Sequence, residues 1–379
     1  MADSLRRPAV GILLSLAMLI AGSHVAISRD LFLDSGQRLG NEATWHVASG
    51  DLDSDGDIDI VTANTDLGAV IWRNDGAGTF TDAGQRLGFC AFVDVADLDG
   101  DGFLDVITAM WGEPLTVWWN DGAGRFSEAE RTRVGSDSLC FAVGDLDEDG
   151  NPDIYLGCAN SDKVLMNTGE RTFRDTLRRF GHHETGGVVI VDMDGDGDND
   201  VVAAGWNEPG HVWANDGTGQ FTLLCEIDAA QLHIHDAAAG DYDGDGDLDV
   251  FFALAGGVCC RNIWLNDGTG RLTYVDQDFS DAPMQRMAAA DVDGDGQLDL
   301  AFGGWGVAPR HTRIWLGGEG GFADSGLLIG GEGMSGGVEF ADFDGDGDLD
   351  LFVGYHIYQP GSWDYLPHPN EVWLNTTVE

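Results

Sequence analysis

Seven times along this chain the residues run Asp-x-Asp-x-Asp-Gly-x-x-Asp, starting at positions 51, 97, 145, 192, 241, 291 and 342. Successive starts lie 46, 48, 47, 49, 50 and 51 residues apart. A near-constant period of this size belongs to repeat architectures, in which each unit buries its apolar face against the next. A second signature follows some twenty residues later, an apolar strand closing on Asn-Asp-Gly. It reads Val-Ile-Trp-Arg-Asn-Asp-Gly at 70–76, Val-Trp-Trp-Asn-Asp-Gly at 117–122, Val-Trp-Ala-Asn-Asp-Gly at 212–217 and Ile-Trp-Leu-Asn-Asp-Gly at 263–268. Asn-Asp-Gly predicts a hairpin turn, because such turns need positive φ angles that Gly and Asn tolerate. Phe80, Phe126, Phe173, Phe221 and Phe322 open the strand that comes next.

Each unit is therefore expected to hold four short strands, and no segment shows a helical period. Four strands per unit and seven units predict an all-β, seven-bladed β-propeller of antiparallel blades, a single domain over 27–379 that hides its edges by radial closure. The chain ends test this independently. The last unit stops after Val372-Trp373-Leu374-Asn375 without its fourth strand. That strand stands at the other end: Phe32 to Gly40, Phe-Leu-Asp-Ser-Gly-Gln-Arg-Leu-Gly, matches Phe80 to Gly88, Phe-Thr-Asp-Ala-Gly-Gln-Arg-Leu-Gly. A ring closed by the N-terminal strand explains the match; an open solenoid does not.

Composition narrows the partners. The net charge of −47 opposes binding to nucleic acid or to an anionic membrane surface. Glycine is 56 of 379 residues but has no three-residue period, and proline is only 9, so collagen-like and proline-rich chains are excluded. Residues 1–23 read as a secretory signal peptide, with Arg6 and Arg7 before an apolar Ala9–Ala21 run and cleavage near 23–26. The expected location is secreted, periplasmic or on the cell envelope, with no span in the mature chain and a monomeric state. Six cysteines, Cys90, Cys140, Cys158, Cys225, Cys259 and Cys260, are an even number in an exported chain. Cys90 and Cys140 occupy similar points in neighbouring repeats and could bridge them; buried free thiols are the alternative.

The acidic segments suit a hard cation. Ca²⁺ takes six to eight oxygens at 2.3–2.6 Å in flexible geometry. Asp at loop positions 1, 3 and 5 aims short carboxylates at one centre, Gly at position 6 allows the sharp turn, position 7 offers a backbone carbonyl and position 9 another Asp. The expected ligands are Asp51, Asp53, Asp55, Asp57 and Asp59; Asp97, Asp99, Asp101, Phe103 and Asp105; Asp145, Asp147, Asp149, Asn151 and Asp153; Asp192, Asp194, Asp196, Asp198 and Asp200. The last three loops contribute Asp241, Asp243, Asp245, Asp247 and Asp249; Asp291, Asp293, Asp295, Gln297 and Asp299; Asp342, Asp344, Asp346, Asp348 and Asp350. About seven Ca²⁺, one per blade, are expected. Without them four carboxylates per loop would repel one another.

With these loops and strands the chain resembles the FG-GAP/VCBS repeats of integrin α-subunit-type propellers and their bacterial relatives. The resemblance covers everything after the leader. It implies that the loop aspartates bind Ca²⁺ on one face of the disc and that ligands engage the other. The Phe-Gly and Gly-Ala-Pro cassettes of that family are eroded here.

The connections opposite the acidic loops collect unusual residues. Trp111, Trp206 and Trp305 each stand six residues after the last Asp of their loop, and unit seven places Tyr355 and His356 there, before an insertion through Trp363, Tyr365 and His368. His46, His182, His183, His233 and His235 precede or begin inner strands, His211 and His311 lie in second-to-third connections, and Arg286 matches His46 in position. Rings beside carboxylates and imidazoles suit sugar or peptide binding. The candidate ligand residues are Trp111, Trp206, Trp305, Tyr355, His356, His46, His235 and Arg286. Trp72, Trp118, Trp213, Trp264, Trp315 and Trp373 recur at one strand position and are expected in the core, with Leu165 in their place in the third unit. The reading is a non-catalytic recognition or adhesion module for a carbohydrate or protein. The alternative is a polysaccharide lyase, in which His46, His235, Arg286, Tyr355 and His356 would supply a base and a charge-neutralising group.

Overall fold

A computed structural model describes residues 31–128, 137–181, 184–206, 208–228, 233–255, 262–279, 284–304, 311–318, 320–331, 333–358 and 365–377. The expected leader over 1–23, its cleavage region, His182, His183, Cys259, Cys260, Trp305 and Trp363 lie outside these residues.

Every acidic segment joins the inner strand of a blade to its second strand. In blade 1 the strands are Thr44–Gly50, Asp59–Asn64, Ala69–Arg73 and Thr81–Leu87, paired antiparallel in that order from the axis outward. Five further four-stranded blades repeat this order, beginning at Phe92, Ser138, Thr185, His233 and Met284. Blade 7 runs Met334–Ala341, Asp350–Tyr358, Asn370–Asn375 and then Phe32–Leu39 from the start of the chain. The pairing of Phe32 with Asn375 and Leu39 with Asn370 closes the ring as the matching chain ends require.

Burial follows from position in the blade. The second strand Asp59–Asn64 is buried throughout and is rich in β-branched residues, as a strand covered on both sides should be. The outer strand Thr81–Leu87 alternates between exposed and half-buried. Six of the seven inner strands end on Gly or Ala, and at the glycines the neighbouring blade leaves no room for a side chain. A Cβ on Gly50 would lie 2.5 Å from Leu104 Cδ1, and one on Gly240 would lie 2.4 Å from Leu298 Cδ1.

The apolar core is divided among the seven seams between blades. Trp118 of blade 2 packs with Leu52, Val61 and Ile71 of blade 1, and Trp72 packs with Phe343, Phe352 and Val372 of blade 7. The recurring tryptophans are thus core residues, and Leu165 fills the same role against Leu98 and Ile107 of blade 2. Cys90, Cys140, Cys158 and Cys225 are free thiols. A Cys90–Cys140 bridge is not formed because Cys90 belongs to the seam of blades 1 and 2 while Cys140 belongs to that of blades 3 and 4. One addition to the four-strand plan occurs in blade 7, where Tyr365–Pro367 folds back to pair with the extended second strand.

Candidate functional site

Each acidic loop is built by its own carboxylates. The first aspartate accepts the amide of the glycine at position 6, as from Gly102 to Asp97 at 2.9 Å and from Gly296 to Asp291 at 2.8 Å. These glycines hold φ values of 87–100°, a region closed to most side chains. The ninth aspartate is buried and accepts two amides: Asp105 takes Leu98 N at 3.1 Å and Asn120 N at 2.8 Å, and Asp350 takes Phe343 N at 2.9 Å and Asn375 N at 2.7 Å. Burial pushes the carboxyls of Asp59, Asp105, Asp153, Asp299 and Asp350 up to about 7, against the pull of those amides. The position-7 side chains turn away from the loop centre, since Asp57, Phe103, Asn151, Asp198 and Asp247 approach Gly76, Gly122, Gly169, Gly217 and Gly268. Only the backbone of position 7 is left for a ligand role.

What remains inside the loop is a convergence of carboxylate oxygens. One oxygen from each of Asp97, Asp99 and Asp105 lies within 4.8 Å of the others, and Asp145, Asp147 and Asp153, Asp192, Asp194 and Asp200, and Asp241, Asp243 and Asp249 repeat the arrangement. In loop 1 the converging set is Asp51, Asp53 and Asp55. Asp51 Oδ1, Asp53 Oδ1, Asp145 Oδ1 and Asp147 Oδ1 are buried with no hydrogen-bond partner. Orphaned buried carboxylate oxygens are costly unless a cation or proton meets them. An all-oxygen donor set of this kind fits a hard divalent ion.

The Asn of the turn has a role that its sequence motif does not reveal. Asn120 donates through Nδ2 to Leu104 O of its own blade at 2.9 Å and to Leu52 O of blade 1 at 2.8 Å. Asn74, Asn167, Asn215, Asn266 and Asn375 make the same double contact, each to its own loop and to the loop of the preceding blade. None of these asparagines has a positive φ; the glycines that follow five of them, Gly76, Gly122, Gly169, Gly217 and Gly268, do. The connection from Arg73 to Thr81 is also longer than a two-residue hairpin. Asn is therefore placed as a clip between blades. Blade 6 has Gly317 at this position, and an aromatic cluster of Tyr242, Phe251, Phe279, Phe302 and Phe322 fills its seam with blade 5 instead.

The opposite face divides the expected ligand residues. Trp111 is 44% exposed and rests edge-on against Trp45, with ring centres 5.5 Å apart. Beside it Phe89 is 65% exposed. Both line a groove of about 550 Å³ between blades 1 and 2, with Thr65, Met110, Glu113 and Pro114. Sequence reasoning missed Phe89, which stands between Gly88 and Cys90 outside any strand; its apolar ring in an inter-blade link was the available signal. Trp206 is half-buried, stacked on His233 at 5.3 Å and against His235 at 4.4 Å.

Tyr355, His356 and Arg286 do not join that surface. Tyr355 and His356 are fully buried: Gly330 and Gly333 lie against the Tyr355 side chain, and Gly336 and Trp45 against the His356 ring. Tyr355 donates to Glu371 Oε2 at 3.2 Å, and His356 Nδ1 meets Thr44 O at 2.8 Å while its ring stacks on Trp45 at 4.7 Å. Arg286 is 5% exposed. Its strand position does match that of His46, opposite Gly303 as His46 is opposite Ala63. From blade 6 it crosses the central channel to donate to Trp45 O at 3.2 Å and His235 O at 2.8 Å, and lies over the Phe92 ring. It borders a cavity of only about 50 Å³ with His46, Asp94, Cys140 and Asp236. Burial, and then Arg286 itself, push His46 and His235 down to about 3. Of the groups suggested for a lyase, His46 and Arg286 line a hub space too small for a sugar, while His356 is held by Thr44 and Trp45 and Tyr355 by Glu371.

Comparisons with known proteins agree with this architecture. The FG-GAP-like repeat matches at residues 51–108, 97–156, 145–203 and 192–252, together more than half of the chain. Cartilage acidic protein 1 of Mus musculus is 28% identical over 120 residues, 29% of this chain; the match spans only 19% of that relative's length. Among solved structures, the BP39L lectin from Burkholderia pseudomallei superposes with a TM-score of 0.62 at 15% identity, covering 87% of this chain and 99% of the lectin. An Agrocybe aegerita lectin that recognises non-reducing terminal N-acetylglucosamine gives a TM-score of 0.52 at 21% identity, covering 75% and 79%. At these identities the likeness is one of fold. Seven blades, each with an acidic loop between its first two strands, together with the repeat matches, identify the chain as a member of the FG-GAP repeat family.

Proposed function

We propose that this protein is a secreted, calcium-stabilised recognition module that holds a carbohydrate in the groove between blades 1 and 2. The observation that carries the reading is the groove itself, where Trp111 and Phe89 expose apolar rings beside the Glu113 carboxylate and the Thr65 hydroxyl. Rings of this kind stack on the C–H face of a pyranose, while the carboxylate and hydroxyl orient its hydroxyl groups. The fold is shared with two lectins and with a propeller solved in complex with a protein partner, so the preference for a sugar rests on the rings and polar groups of the groove. Calcium would lie between the first, third, fifth and ninth aspartates of each loop, with the position-7 carbonyl. Its contribution is to neutralise carboxylates that otherwise repel. The apolar run before residue 23 supports export.

A glycan array probed with the whole protein, beside the Trp111→Ala variant, tests this reading. Binding of a glycan class that the variant loses supports it. No glycan bound, or equal binding by both proteins, removes the groove from the account. An ultraviolet assay on acidic polysaccharides, read for new unsaturated ends, distinguishes binding from cleavage.

A further inference from the structure

Two arginines enter the acidic loops. Arg73, the last residue of the third strand of blade 1, forms an ion pair with Asp53 and donates to Ala123 O at 2.8 Å and Gly124 O at 3.2 Å in the turn of blade 2. Arg171, in the turn of blade 3, forms an ion pair with Asp99, stands 3.4 Å from Asp101 and lies over the Trp119 ring at 5.1 Å. Asp53 and Asp99 hold the same third position in loops 1 and 2. Among the described residues, the third-position aspartates of the other loops, Asp147, Asp194, Asp243, Asp293 and Asp344, pair with no Arg or Lys.

The placement of Arg171 is costly. It has a φ of 57°, and the corresponding turn residues Gly78, Gly124, Gly219 and Gly270 are glycines with φ of 64–73°. A left-handed backbone at a long side chain is strained by roughly 1–2 kcal/mol. The guanidinium is held there by Trp119 and by the neighbouring blade's carboxylates.

We propose that loops 1 and 2 are a weaker class of calcium site than loops 3 to 7, because a tethered guanidinium pairs with their position-3 carboxylate. The inference rests on the calcium reading given above. Affinity in oxygen cages follows the charge carried by the ligands, and a guanidinium on one of them removes a unit of negative charge. It also adds repulsion toward the divalent ion at close range. Hydrogen bonding from outside the ligand shell can strengthen a site by orienting its donors. A neutral donor does so without this penalty; a full positive charge does not. The ring would then fill in two stages as calcium rises, five loops first and the pair flanking the seam of blades 1 and 2 afterwards.

Equilibrium calcium binding to the whole protein tests the proposal, with Arg73→Gln, Arg171→Gly and Arg125→Gln beside it. Arg171→Gly restores the glycine of four other blades, so misfolding does not mask its result. Among the described residues Arg125 pairs only with Asp121 of its own turn, and it serves as the control for general charge. The expected result is five tight sites and two weaker ones. Arg171→Gly should tighten one weak site about tenfold, Arg73→Gln the other, and Arg125→Gln neither. Seven equal sites, looser binding in the arginine variants, or equal tightening in the control overturns this proposal and leaves the calcium reading standing. No calcium bound by the unmodified protein overturns both.

Discussion

On the acidic face the ninth aspartate of every blade receives an amide from the turn at 2.7–2.8 Å, seven times over. On the other face Trp111 meets solvent, Trp206 packs between two histidines, and His356 at the equivalent place is sealed inside. The first face is one polar design copied around a ring; the second is a set of individual solutions. A repeated network of buried hydrogen bonds holds the blades in register. With that work confined to one side, the other side is free to differ from blade to blade, which recognition requires.

Removing metal should produce the largest effect, and on the acidic face alone. Excess EDTA is expected to lower the melting temperature by tens of degrees, since each site filled at 100 times its dissociation constant contributes about 2.7 kcal/mol. An unchanged calorimetric trace would show that the loops stand without ions. Next comes the clip. Asn120→Ala strands two buried carbonyls and should cost about 2–3 kcal/mol in chemical denaturation. Gly317→Asn should not supply the missing clip in blade 6, because a Cβ there would lie 2.3 Å from Leu298 O; a stability gain would contradict that geometry.

Between the faces, the hub predicts a pH effect. The Glu339 carboxyl is pushed up to about 7, chiefly by burial, with Asp94 and Asp236 adding repulsion and Ser49 opposing it. The folded protein therefore holds this proton more tightly than the unfolded chain, whose ordinary value is 4.5. The contribution is favourable below that value and is lost as the pH rises toward 7. Glu339→Gln should stabilise by about 2 kcal/mol at pH 8 and by almost nothing at pH 4. On the open face, Trp206→Ala should cost about 1–2 kcal/mol through lost ring contacts, whereas Trp111→Ala should leave the melting curve nearly unmoved and abolish binding. Equal losses of stability would erase the difference between the two tryptophans. Smallest is the strain at position 4, where Ser54 has a φ of 63° and five other blades place glycine. Ser54→Gly should raise stability by about 1 kcal/mol.

The blade plan and the ring closure were legible because each has a local signature. A strand shows its alternation, and the Phe32 strand shows its kinship with the Phe80 strand. The acidic loops were legible for the same reason, since nine consecutive residues contain the whole convergence. What the motifs hid is what happens between blades. Asn120 was read as a turn former because the carbonyl it clasps, on Leu52, is 68 residues away. Sequence alone makes Arg286 and His356 look like ligand residues, because a single repeat cannot show that six other blades converge on the axis. Arg286 reaches Trp45 across 241 residues, and His356 reaches Thr44 across 312.

In the blade that closes the ring the first strand pairs with the last, through hydrogen bonds such as Ser35 to Val372 across 337 residues. The entropy of closing so long a loop grows only with the logarithm of its length, so the burden falls on timing. During synthesis the Phe32–Leu39 strand must wait for the whole chain with its edge unpaired, and so must the far end of the nascent ring. Such an interval is open to exchange: the first strand of one molecule can complete the last blade of another. Crowded refolding should therefore yield strand-swapped pairs, whereas dilute refolding should yield closed single rings.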